Sequence, residues 1–135
     1  MAREIIWMTA AGVQRAAYSD VALRVAPPDA VIVDEADLPE RALWEAWTIV
    51  ESAVAVDMAK AREIWRNRIR GERDVLLPLA DAAVNLAQDN DDADAEATAR
   101  AWRRALRDAP ADPAIEGAVT PADLVAVWPA CLVVG

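Results

Sequence analysis

The chain has 135 residues, 56% of them hydrophobic, with six tryptophans, no phenylalanine and no histidine. A formal net charge of −9 sets most of its surface against nucleic acid, and the lack of histidine removes imidazole-based triads, histidine acid–base work and most zinc sites. The length suits one domain, or a small domain with an extension, and the single cysteine, Cys131, leaves no internal disulfide and fits a reducing compartment.

Residues 1–56 read as β-rich. Glu4–Thr9, Val21–Ala26 and Ala30–Asp34 are candidate strands, the second stopping at Pro27–Pro28. Leu38–Leu43 suits one helical turn with Pro39 near its start. Ala46–Val50 and Ala53–Val56 flank Glu51–Ser52 as a hairpin that lacks the usual Asn-Gly or Asp-Gly turn.

Asp57 is a good cap for a long helix. Met58, Ala61, Trp65, Ile69, Leu76, Leu79, Ala83 and Leu86 recur at spacings of three and four, broken once by Glu72, and predict its apolar seam. Arg62, Arg66, Arg70 and Arg73 fall along another face. Pro78, helped by Gly71, is expected to kink or break the helix near Val75–Leu77. Residues 89–92 read as a turn, and Asp92–Asp108 as a second helix with acids early and arginines late, which suits the helix dipole. Folded back antiparallel, that helix is expected to set Trp102 near Leu77, and Arg104 and Arg107 near Glu72 and Asp74.

Pro110 and Pro113 mark an expected extended link. Thr120-Pro121-Ala122-Asp123 starts a short helix that ends by Trp128–Pro129. The apolar tail Ala130–Gly135 either tucks into the core or meets a partner.

No constellation of residues points to catalysis. Cys131 has no base nearby in sequence and reads as a structural thiol. The run Asp89–Glu96 resembles a calcium loop, but Ala95 stands at the sharp-turn position and Ala101 at the bidentate position, so an acidic helix start is expected instead. Asp34, Glu35 and Asp37 read as a solvated loop. The arginine face is either a solvated ridge of weak ion pairs or a docking surface for an acidic partner. Trp65 and Trp102 sit on apolar stripes and belong to the expected core, whereas one of Trp44, Trp47 and Trp128 is expected at an interface.

Four segments carry a resemblance: Ala46-Trp47-Thr48, Val56–Leu77, Ala105–Ile115 and Thr120–Pro129. In this order they resemble a family of small prophage-encoded bacteriophage tail proteins, tail assembly chaperones or tail-fibre accessory proteins. The match runs from about Val31 to Pro129. Similar proteins usually carry an unbroken helix after the arginine-rich stretch and a longer, more glycine-rich amino-terminal part. The resemblance implies a role in tail assembly or tail structure.

The expected fold is α+β. A small antiparallel β unit over residues 1–56 is followed, over 57–135, by a long helix, an antiparallel helical hairpin and a short C-terminal helix with a tail. The expected function is non-enzymatic: binding of a phage tail or tail-fibre protein, with Arg62, Arg66, Arg70, Arg73, Trp44, Trp47 and Trp128 as the binding residues. The alternative is a structural virion component that oligomerises through its helices. No cofactor, metal, nucleic acid or membrane is expected as a partner, and a homo-oligomer is. No A-x-A cleavage pattern follows Met1, and no apolar stretch approaches the roughly 18–20 residues that span a bilayer, so an intracellular location is expected, which the resemblance implies to be the bacterial host cytoplasm or the virion tail.

Overall fold

The computed structural model describes residues 2–134 and has the expected α+β class. Five strands come first: β1 (Arg3–Thr9), β2 (Gly12–Ala17), β3 (Val31–Asp34), β4 (Trp47–Val50) and β5 (Ala53–Val56). The helices are α1 (Asp20–Val25), α2 (Met58–Asp89), α3 (Ala93–Asp108), α4 (Pro113–Gly117) and α5 (Pro121–Val125). Short 3-10 turns lie at Glu35–Asp37, Arg41–Ala46, Ala109–Ala111 and Ala130–Leu132. The chain divides into two compact units, Met1–Ile64 with Val119–Ala122, and Trp65–Ala118 with Asp123–Gly135.

In the first unit, β1 is the centre of an antiparallel sheet ordered β2-β1-β3, and β4 pairs antiparallel with β5. Ile6, Val13 and Trp47 form the buried cluster, with Val31, Val33, Leu38 and Ile49 packed against it. The β1–β2 turn needs Gly12: its φ is +116°, and a Cβ there would lie 3.5 Å from Lys60 Nζ. The β4–β5 hairpin forms as expected around Glu51 and Ser52, whose φ values of 50° and 67° are the left-handed pair a two-residue hairpin turn requires.

One expectation for this unit fails, and one strand goes unannounced by the sequence. Val21–Ala26 is not a strand, because Asp20–Val25 is helical. Ser19 caps it by accepting from Ala22 N at 3.0 Å, Asp20 opens its first turn and Arg24 lies in its last. None of its residues is buried, so no periodic apolar pattern announces it. The strand that pairs with β1 on the other side is Gly12–Ala17, where alanine and polar residues gave no strand signal.

In the second unit, α2 runs unbroken through Pro78, contrary to the expected interruption. Proline in a helix interior loses one hydrogen bond and crowds the preceding turn, but Pro78 lies on the exposed side of a helix whose other face is packed. Pro78→Ala should restore the N–H directed at the Asp74 carbonyl and stabilise the protein by about 1–3 kcal/mol, read as a higher urea midpoint at unchanged m.

The buried residues of α2 are Ala61, Trp65, Ile69, Leu76, Ala80, Val84 and Ala87. Trp65, Leu76 and Ala87 are spaced by eleven residues, as are Ile69 and Ala80, so the seam follows an eleven-residue period. The expected Leu79 and Leu86 are instead 53% and 63% exposed. At Asn90–Asp92 the chain turns, with Asp91 at φ 52°, and Asp92 caps α3 by accepting from Ala95 N at 3.0 Å. Arg103 reaches back to Asp81 at 3.2 Å, which is the antiparallel hairpin in a register different from the one expected for Arg104 and Arg107.

The link after α3 is helical rather than extended. Pro110 and Pro113 each stand in the first turn of a short helix, where their missing N–H costs nothing. Leu106, Ile115, Leu124 and Leu132 are buried. The tail tucks in: Trp102 Nε1 donates to the Cys131 carbonyl at 2.9 Å, and Trp65 Nε1 donates to the Val127 carbonyl at 2.7 Å. Among the described residues, no helix is long and apolar enough to cross a membrane.

Candidate partner-binding surface

The arginines expected as an exposed ridge sit elsewhere. Their positions, one residue on from Ala61, Trp65 and Ile69, place their stems along the edge of the buried seam, and Arg62, Arg66, Arg70 and Arg73 are all half-buried. Arg66 is bonded to Glu116, Arg70 Nη1 donates to Asn67 Oδ1 at 2.6 Å, and Arg73 Nε donates to Asp74 Oδ1 at 3.0 Å. The Arg66 contact ties α2 to α4, and those of Arg70 and Arg73 stay within α2, so these three heads are engaged by the chain itself. Arg68, not among the expected binding residues, is exposed, with its guanidinium 5.3 Å from the Trp65 ring.

Trp47 also leaves the expected set. It is 1% exposed, and its Nε1 donates to the Glu40 carbonyl at 3.2 Å, so it is a core residue of the first unit. Trp44 is half-buried, with the Arg15 guanidinium 5.0 Å from its ring. Trp128 is 37% exposed and packs edge-on to Trp65, with centroids 5.9 Å apart. It presents part of an aromatic face whose other part is anchored.

Glu35, Asp92 and Glu96, from the two acidic segments, have structural partners. Glu35 and Glu4 both accept from Arg41, at 2.9 and 2.6 Å, and the Glu4 hydrogen bond is the main cause that holds the Arg41 guanidinium above its ordinary pKa. Glu96 pairs with Arg100 at 3.4 Å along α3. Burial pushes the Cys131 thiol above its ordinary pKa, with Asp112 acting in the same direction, which keeps it in the less nucleophilic protonated form.

Large apolar side chains instead face solvent on the helical hairpin. Val75 is 67% exposed and lies with Leu79, Ala82 and Leu86 at spacings of four, three and four residues, one continuous row on α2. Beside it, a groove of about 550 Å³ runs between α2 and α3, lined by Ala83, Leu86, Ala87, Ala95, Ala99 and Trp102. The alanines make it: small residues on facing helices leave space that larger ones would fill. Thr98 and Asn90 stand at its rim, and the acids Asp89, Asp91, Asp92 and Asp94 cluster at the hairpin end. Such a groove suits the apolar face of a helix or an extended apolar segment. Sequence spacing did not separate this row from the seam, because Leu79 and Leu86 of the row each stand one residue before a buried alanine, Ala80 and Ala87.

Comparison with protein families, curated proteins and solved structures finds no match.

Proposed function

We propose that this chain is a non-enzymatic phage tail or tail-fibre assembly protein that holds an apolar segment of a tail protein in the groove between α2 and α3. The groove itself carries the reading: an apolar channel with Trp102 in its wall and carboxylates at one end. Exposed apolar surface of this extent marks binding sites, and the clustered acids favour a segment with basic residues at one end. The phage assignment rests on the four-segment resemblance between Val31 and Pro129. By covering such a segment, the protein would keep an unassembled tail subunit from aggregating in the host cytoplasm.

The test uses the full chain and co-encoded tail proteins. Thr98 is exposed at the groove rim, so Thr98→Arg should leave helix content and melting unchanged. It should weaken capture of the tail protein by about tenfold or more, because it places a bulky charge in the apolar channel. Unchanged capture by this variant would remove the groove from the function. A second reading, a structural tail or fibre-attachment subunit, is favoured by the exposed apolar row on α2. A structural subunit stays in purified particles at fixed copy number, and an assembly chaperone does not.

A further inference from the structure

The exposed row on α2 has its own charge pattern. Continued in both directions at the same spacing, it reads Arg68, Glu72, Val75, Leu79, Ala82, Leu86 and Asp89. This is the three-and-four alternation of a coiled-coil seam, in a helix whose buried seam follows a different, eleven-residue period. Two separate periodicities on one helix mean two separate packing faces. The buried one is satisfied within the chain, and Val75, Leu79 and Leu86 of the other are exposed.

We propose that two copies of this chain pair antiparallel along α2 through Val75, Leu79, Ala82 and Leu86. Charge fixes both the occupant and the direction. Arg68 and Asp89 are 21 residues apart, about 31 Å along the helix, and they close the two ends of the row. Arg68 is exposed at the basic end. Asp89 opens an acidic run that continues through Asp91, Asp92 and Asp94, with no basic residue between 74 and 99. An antiparallel second copy brings each basic end beside an acidic one, and the opposed helix dipoles add to the match. A parallel copy would stack the acidic ends on each other. Between the ends the flanking residues Pro78, Ala83 and Asn85 are uncharged, so a helix can approach closely, and the small Ala82 leaves room for the facing Val75. The pairing does not depend on the tail-protein reading, because the groove variant Thr98→Arg leaves the row intact.

Sedimentation of the full chain from micromolar to millimolar concentration tests it. The sedimenting mass should double with concentration, and Leu79→Glu should raise the dissociation constant by about tenfold or more, since it places a carboxylate in the centre of the contact. The circular dichroism of Leu79→Glu should match that of the wild type, because Leu79 is exposed and glutamate is a good helix former. Direction is read by disulfide trapping in a Cys131→Ser background. Val75→Cys protein should cross-link to Ala82→Cys protein faster than either links to itself. A constant monomer mass, unaltered association of Leu79→Glu, or fastest self-linking of Val75→Cys would each overturn the antiparallel pair.

Discussion

Replacing Trp47 with alanine should destabilise the protein by about 3–5 kcal/mol and lower its thermal midpoint by more than about 10 °C. The side chain is almost fully buried beside Ile6 and Val13, and its indole N–H is satisfied by the Glu40 carbonyl. Truncation removes the largest side chain of that cluster and leaves a cavity between the β2-β1-β3 sheet and the β4–β5 hairpin. The Glu40 carbonyl loses one of its donors and keeps the Leu43 N–H. Trp47→Phe should recover most of the packing but not the hydrogen bond, and should cost less. Urea unfolding followed by tryptophan fluorescence and far-UV circular dichroism measures both. A Trp47→Ala variant that melts like the wild type while losing only partner capture would return this residue to the surface role that its sequence context suggested. Trp128→Ala should be milder, because that ring is partly exposed and packs edge-on against Trp65.

The second large effect is a contrast along one helix. Ile69→Ala should cost about 2–5 kcal/mol, and Leu79→Ala within about 0.5 kcal/mol of nothing. Both lose methyl and methylene groups in the same helix, but Ile69 is fully buried and Leu79 faces solvent. Leu79→Ala even gains a little helix propensity. Chemical denaturation at low protein concentration isolates the fold term, because self-association through the row would otherwise add a concentration-dependent contribution. Equal costs at the two sites would show that the eleven-residue seam is wrongly phased. Together with Pro78→Ala, these substitutions map which side of α2 faces the core.

The long helix shows how local sequence and tertiary packing divide the work. Its start at Asp57, the turn at residues 89–92, the cap at Asp92 and the Thr120-Pro121 start of α5 all follow from short-range chemistry: a carboxylate or hydroxyl that satisfies free N–H groups, and a proline placed where its missing donor is harmless. The β4–β5 hairpin was legible for the same reason, since the apolar runs on both sides of Glu51–Ser52 leave room for only a two-residue turn. Helix α1 and strand β2 were not legible. One buries nothing, and the other is held by its pairing with β1 rather than by its own propensity.

The candidate site divides in the same way. Arg62, Arg66, Arg70 and Arg73 were read as an outward face because charge is normally solvated, yet their stems flank the seam and the Arg66, Arg70 and Arg73 heads bond within the chain. That one of Trp44, Trp47 and Trp128 would be exposed was legible, but not that it is Trp128, nor that Trp47 is buried. By itself the sequence determined that this is an α+β chain with one long helix, a returning second helix and an apolar excess. Which apolar residues point inward was decided only by packing. Steps of three and four are both compatible with a helix, so Leu79 and Ala80, or Leu86 and Ala87, are equally good seam positions to a pattern. In the folded chain Ala80 and Ala87 are the buried members of these pairs, and Leu79 and Leu86 face outward, where they are available to another polypeptide.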